Sequence, residues 1–244
     1  MPIIFITIVL LFAPAVSGGK ANSIRIASIN GGMSQAFAVE TAAGLFLIDA
    51  GSPGQAHSIL DQLHRFSTKP LIYIIITHAH FDHYGSANGL RALTGAKILI
   101  GKPDSSAMAR GETLIEHAST IGLFGQLLLP LVGLLLPPPP TIANATVNDG
   151  DSLDIMGLPG IVIATPGHTR GSVSLLLHNN IAFVSDLIVT HPVLNCQCYY
   201  AFNWQHIGAS LEKMQDKKPT LIYAGHAATA IGQKDFLKLR PVAP

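Results

Sequence analysis

Charge is scarce in this chain. Of its 244 residues, 12% are Asp, Glu, Lys or Arg, and the formal net charge is +1. With no Lys/Arg stripe the chain lacks the electrostatic footprint of a nucleic-acid binder, and no nucleic-acid partner is expected. The same scarcity leaves much neutral or apolar surface, which favours a small neutral ligand or a membrane-rich setting. Thiols are few as well. Cys196 and Cys198 are the two cysteines; one intervening residue would strain a bridge between them, and no third thiol completes a soft-metal set. Their redox state, and the compartment, stay open on this ground. Long apolar spans are also lacking. The opening run is apolar from Pro2 to Val16 except for Thr7, about 14 residues where a membrane span needs about 20. It has no Lys or Arg in front, yet it ends in small residues with an Ala15-x-Ser17 pattern. Residues 1–17 are therefore expected to be a signal peptide that sends the chain to the periplasm or exterior, leaving 18–244 as one domain.

What the chain does have is imidazole in one place. Thr77-His78-Ala79-His80-Phe81-Asp82-His83 follows the β-branched apolar run Leu71–Ile76, which reads as a buried strand. Three imidazoles and a carboxylate side by side add nothing to stability, because each must find a partner when buried. A metal ion resolves this, since it takes neutral imidazole nitrogen and ionised carboxylate as ligands. Four more ligand-type residues stand at the ends of apolar runs. Asp49 follows Leu47-Ile48, His168 lies in Thr165-Pro166-Gly167-His168-Thr169-Arg170-Gly171-Ser172, Asp186 follows Phe183-Val184-Ser185, and His226 follows Tyr223-Ala224-Gly225. Strand ends are where α/β proteins collect their ligand chemistry.

These motifs, in this order, resemble the metallo-β-lactamase superfamily of di-metal hydrolases, from about Ser23 onward. The resemblance implies an α/β fold, a four-layer αββα sandwich. It implies that His78, His80 and His168 hold one divalent ion, that Asp82, His83 and His226 hold a second, and that Asp186 bridges them. Asp49 would orient a ligating imidazole without touching metal. Two such ions acidify a shared water, so a bridging hydroxide is available at neutral pH without a Ser or Cys nucleophile. Asp82 would also accept a hydrogen bond from that nucleophile. Zinc is the expected ion, with iron or manganese as alternatives, because ligand type alone does not decide.

Departures from subfamily patterns narrow the substrate. Antibiotic-destroying members carry Cys or Ser where Asp186 stands, so the resemblance is to the glyoxalase II and lactonase-like branch. Lactonases of that branch carry a Tyr where this chain has Val189, with Tyr199 and Tyr200 as nearby substitutes. The expected reaction is hydrolysis of a small neutral or apolar-tailed ester, lactone or thioester. A β-lactamase, or a mono-iron sulfur dioxygenase-like protein, is the alternative.

Periodicity gives strands at 23–30, Gln35–Glu40, Leu45–Ile48, Leu71–Ile76, 97–100, 161–164, Val173–Leu177, 181–184 and 221–223, with helices at 54–66, 84–93 and 204–214. One insertion, at about 110–140, departs from this alternation. Its stretch 121–136 is apolar almost all round and is followed by Pro137-Pro138-Pro139-Pro140. A lid over the site, a membrane-surface contact and a homodimer contact are the readings it supports.

Overall fold

Alternation along the strands explains the layering. The computed structural model describes residues 24–241, so the expected signal segment lies outside the described residues. The first sheet contains, in spatial order, β1 (Arg25–Asn30), β2 (Gln35–Glu40), β3 (Leu45–Ile48), β4 (Leu71–Ile76), β5 (Lys97–Gly101) and β6 (Ala145–Val147). Its first three strands are antiparallel, and β3 to β6 are parallel. The second contains β7 (Gly160–Ala164), β8 (Val173–Leu177), β9 (Ile181–Ser185), β10 (Leu221–Ala224) and β11 (Ile231–Gly232), in the spatial order β11-β10-β9-β8-β7. Only β9 and β10 run parallel there.

Helices α1 (Ala56–Phe66), α2 (Phe81–Tyr84), α3 (Ala87–Thr94), α4 (Ser105–Arg110), α5 (Leu123–Leu135), α6 (Trp204–Asp216) and α7 (Gln233–Phe236) accompany these sheets, and two short ribbons pair Ile188–Val189 with Asn195–Cys196 and His117–Ala118 with Tyr200–Ala201. Successive side chains on a strand face opposite ways, so each strand feeds two apolar slabs. Ala38, Leu47, Ile74 and Ile98 meet Ile59 and Leu63 of α1 and Leu90 of α3. Phe37, Phe46, Ile75 and Leu99 instead face the other sheet, against Val162, Leu175 and Phe183. On the far side Ile163, Val184 and Ile222 meet Ile207, Leu211 and Met214 of α6. Three slabs separate four layers, αββα. Each fully buried Leu, Ile or Phe contributes about 1.5–3 kcal/mol, which is what holds the sheets face to face.

One expectation changes. The helix expected at 84–93 is two short helices, α2 and α3, parted at Gly85-Ser86. A Cβ at Gly85 would stand 2.4 Å from Pro53, and Ser86 Oγ donates to the Ser52 carbonyl at 2.6 Å. The contact with the 52–53 turn breaks the helix and re-aims its first turn. The apolar stretch is a single helix, α5, with Leu123, Phe124, Leu127, Leu128, Leu131, Leu134 and Leu135 exposed along one side. Among the described residues no helix is long and apolar enough to cross a membrane.

Candidate metal centre

Every strand-end residue singled out in the sequence arrives at one place. β4 ends at Ile76, and the chain then carries His78 and His80 into a loop and Asp82 and His83 into the first turn of α2. His168 comes from the loop between β7 and β8, Asp186 directly follows β9, and His226 follows β10. The backbone is shaped to allow this. Asp49 and Ser185 are non-glycine residues in the left-handed region, at φ 60° and 47°, a conformation that costs energy and collects at functional sites. A Cβ on Gly225 would stand 2.4 Å from Asp186 Oδ1 and 2.7 Å from the His83 ring, so only glycine lets β10 approach this closely.

The donor atoms form three overlapping groups. Those of His78, His80 and His168 lie within 4.8 Å of one another, as do those of Asp82, His83 and His226, and those of His78, His83 and Asp186. Asp186 stands between the first two groups. Its Oδ2 lies 3.5 Å from His168 Nε2 and 3.3 Å from His226 Nε2, and its Oδ1 lies 3.4 Å from His83 Nε2.

The other nitrogen of each ring is already engaged. His80 Nε2 donates to the Leu114 carbonyl at 3.0 Å, His168 Nδ1 to Tyr200 O at 3.0 Å, and His226 Nδ1 to Met33 O at 3.0 Å. His83 Nδ1 donates to Asp49 Oδ2 at 2.9 Å. His78 Nδ1 faces two hydroxyls, Thr77 Oγ1 at 3.2 Å and Ser185 Oγ at 3.3 Å. These contacts fix the tautomers and turn one lone pair of each ring inward, the arrangement that supports ligating imidazoles. Asp49 is held in turn by Thr77, whose N–H and Oγ1 reach its Oδ1 at 2.8 and 2.9 Å. Among the described residues, His78 Nε2, His83 Nε2 and Asp186 Oδ1 are buried side-chain atoms without a hydrogen-bond partner. Buried unpartnered polar atoms are costly, and these three converge on one space. The donor set of five imidazoles and two carboxylates therefore fits metal ions.

The protein's own field divides the rings. Burial, then the neighbouring rings, holds His78 well below the usual imidazole range. Burial likewise lowers His80, and lowers His168 to about 4 with help from His80. Burial opposes charge on His83 too, but Asp186, Asp82 and Asp49 together outweigh it and raise this imidazole to about 10. Asp186 raises His226 to about 9. Burial works against the Asp186 carboxylate, but His226 and His83 hold it well below the usual range.

Several supporting groups escaped the sequence reading. The carbonyls of Met33, Leu114 and Tyr200 leave no side-chain signature. Gln197 is buried and bridges the loops, with its Nε2 3.2 Å from His168 Nδ1 and donating to Asp186 O at 3.0 Å. Tyr200 reaches the site through its backbone, while the Tyr199 hydroxyl donates to His191 O at 2.6 Å. Cys196 is buried, with its Sγ 3.8 Å from the Leu187 carbonyl.

An αββα sandwich with a buried His/Asp cluster at the strand ends defines a metal-dependent hydrolase. Residues 29–226 match the metallo-beta-lactamase superfamily, and the chain belongs to it. The uncharacterized protein YobT of Bacillus subtilis (strain 168) is 27% identical over 202 residues, 78% of this chain and 81% of that protein. The hydroxyacylglutathione hydrolase of Erwinia tasmaniensis is 29% identical over 126 residues, which span 52% of this chain but 37% of that enzyme. Among solved structures, the BLEG-1 B3 metallo-beta-lactamase superposes with a TM-score of 0.69 at 20% identity, covering 89% of this chain and 98% of that one. The archaeal superfamily protein ST1585 of Sulfolobus tokodaii gives 0.64 at 21%, covering 87% and 84%. At these identities the structural likeness bears on fold alone.

Proposed function

We propose that the chain is a di-metal hydrolase, with zinc as the expected ion, acting on a small neutral or apolar-tailed ester, lactone or thioester. The observation that carries this reading is the convergence of His78 Nε2, His83 Nε2 and Asp186 Oδ1, buried and without a hydrogen-bond partner, while the far nitrogens of the rings are engaged elsewhere. His78, His80 and His168 would hold one ion, Asp82, His83 and His226 the other, and Asp186 would serve both. Bound there, the ions supply Lewis acidity and an acidified water at neutral pH.

The chain's own residues do the rest. The Asp82 carboxylate, 3.5 Å from His226 Nε2 and 3.6 Å from His83 Nε2, sits where it can orient the attacking water and accept its proton. Asp49 keeps the His83 lone pair facing inward by holding the proton on Nδ1. His226, with 34% of its side chain exposed, marks the side from which substrate enters. The carboxylate at position 186 supports the ester, lactone and thioester classes over β-lactams. The thioester class also draws support from sequence relatives named as hydroxyacylglutathione hydrolases. The test is metal content followed by an ester, lactone, thioester and β-lactam panel on zinc-reconstituted protein. Two ions per chain with turnover of an ester, lactone or thioester is expected. One ion at full activity, or turnover of β-lactams alone, would overturn it.

A further inference from the structure

Asp104 is buried at 5% exposure, in the turn Lys102–Asp104 that follows β5. It lies outside the ligand set, and its partners are N–H and O–H groups. Its Oδ2 accepts from the Ala79 N–H at 2.9 Å and from Thr169 Oγ1 at 2.7 Å, and its Oδ1 accepts from the Gly171 N–H at 2.6 Å. Ala79 is the residue between His78 and His80, and Thr169 directly follows His168. One carboxylate thus ties the loop after β4, which carries two imidazoles of one set, to the loop after β7, which carries the third. The fit is tight: a Cβ on Gly171 would stand 2.5 Å from Asp104 N and 2.6 Å from its Oδ1.

We infer that Asp104 is a positioning residue that sets the spacing of His78, His80 and His168 by clamping the two loops that bear them, as Asp49 sets His83 on the other side. The assignment rests on the di-metal reading above. Three donors converge on Asp104, and an ionised carboxylate accepts at both oxygens. An amide there would turn its NH2 against the Gly171 N–H or against the Ala79 N–H. None of the three contacts touches Asp82, His83 or His226, so the effect of losing them falls on one set.

Two backgrounds separate the sets. His226→Ala leaves the His78/His80/His168 set complete, and His168→Ala leaves the Asp82/His83/His226 set complete. Cobalt(II) is titrated against a competing chelator and followed by its absorption spectrum. Adding Asp104→Asn is expected to weaken binding about 10–100-fold in the His226→Ala background, the range for groups that support metal ligands, and to alter its spectrum. Binding in the His168→Ala background should be unchanged. Thr169→Val, which keeps Asp104, should give a smaller loss in the same direction, and Thr169→Ser should restore wild-type binding. Melting of each metal-free variant separates clamping from general destabilisation. Equal losses in both backgrounds that follow the fall in Tm, or no loss in either, would overturn the inference. Failure of the wild-type chain to bind cobalt at all would instead overturn the di-metal reading.

Discussion

His78, His80 and His168 lie under the chain around Leu114 and Tyr200, with burial and their mutual repulsion keeping the rings neutral. Asp82, His83 and His226 lie among carboxylates that raise His83 to about 10 and His226 to about 9, and of the three only His226 is open to solvent. One side offers three ready lone pairs in a sealed place. The other offers rings that carry protons at neutral pH until an ion displaces them. A neutral, enclosed set suits tight retention of an ion. A set facing substrate and exchanging protons suits chemistry.

The contrast can be broken first at its shared member. Asp186 reaches both sides, so Asp186→Ala is expected to cost both ions and lower turnover by about a thousandfold or more, from the several kcal/mol that metal-ion stabilisation supplies. Metal analysis and kinetics check this; a variant retaining two ions and near-normal rates would show that Asp186 does not join the sets. Asp82→Ala acts on one side only. Turnover should fall at least about a hundredfold, with the ion at His78, His80 and His168 retained. Equal loss of both ions on metal analysis would remove the asymmetry.

Acidity sharpens the contrast. Because His83 and His226 are raised above the ordinary imidazole value, they are protonated in the metal-free chain at pH 7, and an ion must displace about two protons. Affinity on that side should therefore rise with pH, by about a hundredfold per unit between pH 7 and 8, while the lowered His78 and His168 leave the other side nearly flat. Calorimetry in buffers of differing ionisation enthalpy counts the released protons, and equal counts for both ions would contradict the assignment. The smallest effect belongs to Asp49→Asn, which leaves all seven donor residues in place. Affinity of the His83 side should fall about tenfold or somewhat more, with a smaller loss on the other side, where Asp49 acts only through Thr77 Oγ1 beside His78 Nδ1, measured by chelator competition.

The candidate ligand residues were legible because His78 to His83 form a dense motif after Leu71–Ile76, and His168, Asp186 and His226 stand beside other strands, such as Val173–Leu177, whose apolar side chains are unambiguous. The layering followed from the same strands, where residues of β3 and β4 alternate between two apolar slabs. Other features had no such signal. The short strand Ala145–Val147 has too few residues to show a period. The break at Gly85 depends on Pro53, which is distant in sequence. Asp104 in Lys102-Pro103-Asp104 looks like an ordinary turn residue until folding brings Ala79 and Gly171 to it. Carbonyl partners such as Leu114 O are invisible in any sequence, since every residue has one.

Each of the two large sheets is built from one continuous stretch of chain, 25–147 for the first and 160–232 for the second; the covalent path between them passes through residues 148–159, and a short ribbon pairing His117–Ala118 with Tyr200–Ala201 also crosses between the stretches. Ile155 in that path is 89% exposed. His78, His80, Asp82 and His83 belong to the first stretch, and His168, Asp186 and His226 to the second. Neither stretch alone contains a whole set. Ions held in this way would staple the halves together, so a protein severed near Ile155 would become two fragments that reassemble through the apolar slab and the shared ions, with chelation weakening their hold on each other.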